Sequence, residues 1–170
     1  MRRVVAFTVL AIVLGVPAVA LGVDFGSSGD DGTVSVKNGA GGILLSPFSG
    51  AAVARVAHGK IKITDPLPSD GDGAQVWGCD NSPGGVDLTD TTTVCTGDNL
   101  RFRAAGGRYK IWIKGSGIFL SAVGRGSVTL NGAGDGPTVT PDGVFSINDA
   151  PYRSLPDDGK TFPLAAAPGG

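Results

Sequence analysis

The chain has 170 residues, enough for one domain and too few for two of ordinary size. Its 29 glycines, 11 prolines and 15 aspartates stand against no glutamate and one glutamine, Gln75, a balance that argues against long helices, because Glu and Gln are among the main polar helix formers. Removing Arg2 and Arg3 leaves twelve cations against fifteen acids, a net charge of −3, too mild to predict non-specific attraction to nucleic acid or to an anionic membrane.

Residues 1–20 read as a secretory signal peptide. Arg2 and Arg3 form a positive start, Val4 to Val16 an uncharged apolar run, and Pro17 precedes the small-residue site Ala18-Val19-Ala20. The alternative is an uncleaved anchor, since Val4 to Val23 is about the 20 residues a bilayer requires. In both cases the rest of the chain lies outside the cytoplasm, and membrane contact is expected only if the segment stays uncleaved. No cysteine follows the apolar run, which excludes a lipoprotein anchor; Leu155-Pro156-Asp157-Asp158-Gly159 has Asp where a sortase signal needs Thr.

Residues 21–32 read as a linker, 33–156 as a single β domain and 157–170 as a Pro/Gly/Ala-rich tail whose last ten residues are loose. Period-two alternation predicts strands at 33–37, 60–64, 108–114 and 127–131, another near 143–147, and shorter ones at 75–79, 92–96 and 99–104. The apolar run Gly42 to Ala57, broken by Pro47 and glycine, reads as two buried strands. Ala105-Gly106-Gly107 between Leu100–Ala104 and Arg108–Lys114 reads as a hairpin turn. The pairs Gly39/Gly41, Gly115/Gly117 and Gly124/Gly126 precede strands rather than a helix, so they read as turns or bulges and not as phosphate loops.

Cys79 and Cys95 are the only cysteines and, in an oxidising compartment, predict a disulfide. No cofactor is called for. His58 is the only histidine and sits at an apparent surface turn, so a Ser-His-Asp site would have to use it; a turn residue is the favoured reading. The aspartates lie mainly beside Gly, Pro or Ser and read as turn formers, with an exported hydrolase using Asp carboxylates kept as the alternative function. Asp70 and Asp72 are weak calcium candidates, because no bidentate Glu follows them.

Six residues offer a candidate anionic-ligand face. Alternation places Arg101 and Arg103 on one side of the first hairpin strand, and Arg108, Lys110, Trp112 and Lys114 on one side of the second. A solvated, aggregation-resistant sheet face is the plainer reading of the same residues.

Val56-Ala57-His58-Gly59-Lys60-Ile61-Lys62-Ile63 aligns faintly with Val123-Gly124-Arg125-Gly126-Ser127-Val128-Thr129-Leu130, which suggests two similar halves. The stretch Gly115-Ser116-Gly117-Ile118 to Leu130, with Asp142-Gly143-Val144-Phe145-Ser146 and Pro151-Tyr152-Arg153-Ser154-Leu155-Pro156, resembles a group of secreted β-rich actinobacterial proteins, over roughly residues 100–156. That resemblance implies export and β structure and carries no catalytic residue. The expectation is an all-β sandwich or barrel behind a signal peptide. It would be secreted or envelope-associated and serve as a non-enzymatic binding or structural module, with an anionic envelope polymer as candidate partner and no nucleic acid.

Overall fold

The computed structural model describes residues 31–67, 73–80, 86–87, 92–134 and 142–165. The expected signal segment, most of the expected linker and the calcium candidates Asp70 and Asp72 lie outside the described residues. The fold is all-β and antiparallel, with eight strands among the described residues: β1 (Gly32–Thr64), β2 (Gln75–Trp77), β3 (Val86–Asp87), β4 (Thr92–Ala104), β5 (Arg108–Gly132), β6 (Val144–Ile147), β7 (Arg153–Ser154) and β8 (Lys160–Leu164).

Two of these strands are far longer than the usual five or six residues, and glycine explains how they pack. Gly32, Gly41, Gly50 and Gly59 recur every nine residues in β1, and Gly115 and Gly124 keep the same interval in β5. Gly124 of β5 pairs with both Gly32 and Gly50 of β1, while Gly115 pairs with both Gly41 and Gly59. β1 therefore meets the same β5 residue again after eighteen residues. Each long strand winds through two layers in nine-residue spans, and the glycines mark the crossings. At Gly124 a side chain is excluded: a Cβ there would overlap the Ser49 carbonyl and sit 2.8 Å from the Gly50 Cα. Corners of this kind, with strands switching sheets through bends, are one way to close a sandwich.

The front layer runs β7, β6, β1 (32–40), β5 (116–124), β1 (50–58), β4 (98–104), β2, β3. The back layer runs β8, β5 (125–132), β1 (41–49), β5 (108–115), β1 (59–64), β4 (92–97). Burial alternates along β1 but changes phase three times. In β1, even-numbered Val34 and Val36 are buried, then Ile43 and Leu45, then Phe48 to Val56 on even numbers again, then Ile61 and Ile63. Register shifts between Val36 and Gly39 and between Leu45 and Phe48 supply the extra residue at the first two changes, whereas the third, at Gly59, occurs with the register unbroken.

Between the layers lies one core. Its back-layer floor is a register row of Cys95, Ile61, Ile113, Ile43 and Leu130, all fully buried. Each aliphatic side chain in that row contributes roughly 1.5–3 kcal/mol by leaving water. At one end Phe145 of β6 meets Phe162 of β8 with ring centroids 5.2 Å apart, joining front to back. At the other end the predicted disulfide is present: Cys79, just past β2, bonds Cys95 of β4 with Cα atoms 5.2 Å apart.

The structure revises several boundaries. The strands expected at 33–37, within 42–57 and at 60–64 are one continuous β1, and those at 108–114 and 127–131 belong to one β5. The domain extends past 156 to Leu164, because Lys160–Leu164 pairs with 126–130 of β5; Pro163 hid that strand in the sequence, yet an edge tolerates proline. The hairpin at Ala105-Gly106-Gly107 does not form. β4 and β5 are not paired; β1 lies between them, and the glycine-rich link turns the corner from front to back layer. The two aligned octapeptides occupy equivalent places, each leaving the front layer and entering the back.

Candidate functional site

The strands sort charge. All twelve lysines and arginines after residue 3 lie in strands, whereas the strands contain only two acids among the described residues, Asp87 and Asp98. Because the inward positions are apolar, the cations stand on the outer faces, and β1 and β5 carry eight of them with no acid at all.

On the front face, pairing aligns Trp77, Arg101, Arg55 and Phe119 in one row across four strand spans, and Lys37 lies beyond Phe119 in the bulge between Val36 and Gly39. Tyr152 extends the row, since the Lys37 ammonium lies 4.1 Å from its ring centroid. The three rings are open to solvent, with Trp77 37%, Phe119 50% and Tyr152 45% exposed. The Tyr152 hydroxyl donates to Ser35 Oγ at 3.0 Å, and this bond together with Lys37 lowers the phenol below its ordinary value of 10.0. Arg101 stands directly opposite Arg55, a like-charge pair that costs stability.

On the back face the parallel row is Thr96, Lys60, Lys114, Gly42 and Asn131, beside a second of Val94, Lys62, Trp112, Leu44 and Thr129. Lys60 opposite Lys114 is again a like-charge pair. A shallow groove of about 550 Å³ runs over Gly42, walled by Leu44, Trp112, Lys114, Thr129 and Asn131.

The six residues singled out in the sequence are thereby divided. Arg101 and Arg103 sit on the front face, Lys110, Trp112 and Lys114 on the back, and Arg108 opposite Ser49 near a crossing. Their grouping depended on the hairpin, and the intervening β1 removes it. Lys37, Arg55, Lys60, Lys62, Trp77, Phe119 and Tyr152 join them. Outward parity alone marks several of these in the sequence, but which of them are neighbours depends on the eighteen-residue winding.

His58 projects at a crossing, where register sets it between Asp98 and Ser116. Its Nδ1 is hydrogen-bonded to the Asp98 carboxylate, which holds the imidazole above its ordinary 6.5, the Asp98 charge and then that of Asp80 adding to the effect. The order Asp98–His58–Ser116 resembles a hydrolytic triad, but no hydrogen bond joins Ser116 to the ring, and His58 and Asp98 are 77% and 71% exposed. That leaves the developing charge of an acyl transfer without a dry, pre-organised setting. Asp65, the buried carboxylate among the described residues, accepts from the Leu67 amide at 2.8 Å and forms a turn.

No protein-family model, curated protein or solved structure matches the chain.

Proposed function

We propose that the protein is an exported, non-catalytic module that holds an anionic polymer of the cell envelope against its strand faces. One observation carries the reading: every lysine and arginine after residue 3 lies in a strand, while acids are almost excluded from the strands. A sandwich kept soluble by mixed surface charge has no need of such sorting, and it bears the repulsion of Arg55 against Arg101 and of Lys60 against Lys114. A polyanion lying on the faces would relieve both. Exposed rings interleaved with the cations favour a polymer with ring-shaped units, since an aromatic face covers such a unit while neighbouring charges take its anions. The disulfide is compatible with an extracytoplasmic location, and the signal-like residues 1–20 supply the route there.

Co-sedimentation of the secreted protein with carboxylated and phosphodiester wall polymers tests the reading. Binding should weaken as salt shortens the screening length from about 30 Å at 0.01 M to about 8 Å at 0.15 M. It should weaken further when Arg55, Arg101 and Arg103 are changed to Gln, or Lys60, Lys62 and Lys110 to Thr. Retention by neither polymer, or retention indifferent to salt and to both sets of substitutions, would refute it.

A further inference from the structure

We infer that the groove over Gly42 is a subsite for one carboxylate-bearing pyranose ring, a site that rests on the polymer reading and names the unit recognised. The argument begins with the glycine. Interior strand positions disfavour glycine, and where one occurs it often marks a bulge, a tight bend or a close approach by a ligand or another backbone. Gly41 meets a protein backbone in this way, because a Cβ there would collide with the Asn131 carbonyl. Gly42 does not. A Cβ on Gly42 would find no atom within 4 Å, and its φ is not one that L residues avoid. Neither backbone geometry nor packing asks for glycine at this position. What its missing side chain does provide is the floor of the groove.

The walls then define the occupant. Trp112 and Leu44, opposite each other in register, present apolar surface on which the C–H face of a sugar ring can lie. Asn131, in register with Gly42, carries a carboxamide that both donates and accepts, as ring hydroxyls require. Thr129 adds a hydroxyl on the same side. Lys114 flanks Gly42 from the opposite strand and lines the groove, Lys60 stands next to Lys114 in register, and none of the described lining residues is a carboxylate. An acid group on the ring edge would face Lys114, with the charge of Lys60 next along the row. A volume of about 550 Å³ lies within the usual range of roughly 300–1,000 Å³ for small-ligand sites and leaves room for the neighbouring units of a chain. Lysine ammonium is a point charge that would also accept phosphate, so ring and charge must be tested separately.

The experiment uses the full secreted chain carrying Trp77→Phe, which leaves Trp112 as the reporter, and titrates it with trigalacturonate, its methyl ester and inorganic polyphosphate. Trigalacturonate should change Trp112 fluorescence with saturation. The methyl ester, which keeps the rings and removes the charges, should bind at least tenfold more weakly. Gly42→Leu fills the groove without altering charge and should abolish trigalacturonate binding while leaving the thermal unfolding midpoint within a few degrees. Polyphosphate should respond little to Gly42→Leu. No saturable response to trigalacturonate, or equal affinity in the Gly42→Leu protein, overturns the subsite. Equal affinity for the methyl ester overturns the role of the carboxylate. If wild type and Gly42→Leu co-sediment equally with polymer, the subsite fails while the polymer reading stands. If the trimer binds but no wall polymer is retained, the polymer reading fails instead.

Discussion

Two adjacent glycines in β1 allow the winding of the fold to be tested by a matched pair of substitutions. Gly41→Ala places a methyl group in a backbone at φ +126°, onto the Asn131 carbonyl and 2.7 Å from the Gly132 carbonyl carbon. Holding an L residue in such a conformation costs about 1–3 kcal/mol. Relieving the overlap requires β1 to part from β5 where Gly41 pairs with both Gly115 and Gly132, and each ladder bond lost costs about 1 kcal/mol more. The expected destabilisation is about 3–5 kcal/mol, a large share of the roughly 5–15 kcal/mol typical of a domain. Gly42→Ala meets empty space and should be neutral or stabilise by about 0.5 kcal/mol, because alanine restricts the unfolded chain. Urea unfolding of the oxidised protein, followed by tryptophan fluorescence, reads both. The midpoint should fall steeply for the first variant and stay or rise for the second. Similar midpoints for the two would refute the crossing of β1 over β5 at Gly41.

Replacing Cys79 and Cys95 by serine opens a loop with a sequence separation of 16 and should cost about 3 kcal/mol in urea unfolding, with wild type under reductant moving the same way. His58 should titrate above 6.5 by proton NMR and return towards it in Asp98→Asn, since the Asp98 hydrogen bond is the largest cause of the shift. The raised value means that the pair's contribution to stability is full below 6.5 and is lost as pH rises through the folded-state value, so the difference between wild type and Asp98→Asn should shrink above that point. Lys60→Thr removes the like-charge neighbour of Lys114 and should stabilise the fold by about 0.2–1 kcal/mol at low salt while weakening polymer retention, a divergence that plain solvation of the face does not predict.

Much of the local structure was legible in the sequence, because period-two alternation is itself the packing rule. Val34 and Val36, Ile61 and Ile63, and Tyr109, Ile111 and Ile113 all point inward as their spacing requires. The cystine followed from compartment and count. Topology was less legible. A turn-rich Ala105-Gly106-Gly107 between alternating strands is the usual mark of a hairpin, and nothing local to it reveals that β1 fills the place beside β4. The nine-residue glycine interval held that information. It appeared as isolated glycine pairs because Gly39, Gly42 and Gly117 interrupt the interval with others of a different purpose. Site residues were legible one by one from their outward parity, but their neighbours were not: Arg55 meets Arg101, and Lys60 meets Lys114, only because the chain returns to the same partner after eighteen residues.

Net charge and the charge of a single face differ on this fold, and the proposed polymer reading depends on the second. Without residues 1–20 the net charge is −3, which averaged over the molecule disfavours a polyanion. Screening confines that repulsion to about 8 Å at physiological salt, so a polymer resting on a face responds to the charges of that face. There it meets Lys60, Lys62, Lys110 and Lys114, or Arg55, Arg101 and Arg103, with the described aspartates standing mostly at turns around the rim. The rim acids then have a consequence of their own. On the proposed reading they would disfavour a polyanion draped over the edges and leave the two broad faces as its lanes, one bearing arginines among exposed rings and the other lysines beside a groove.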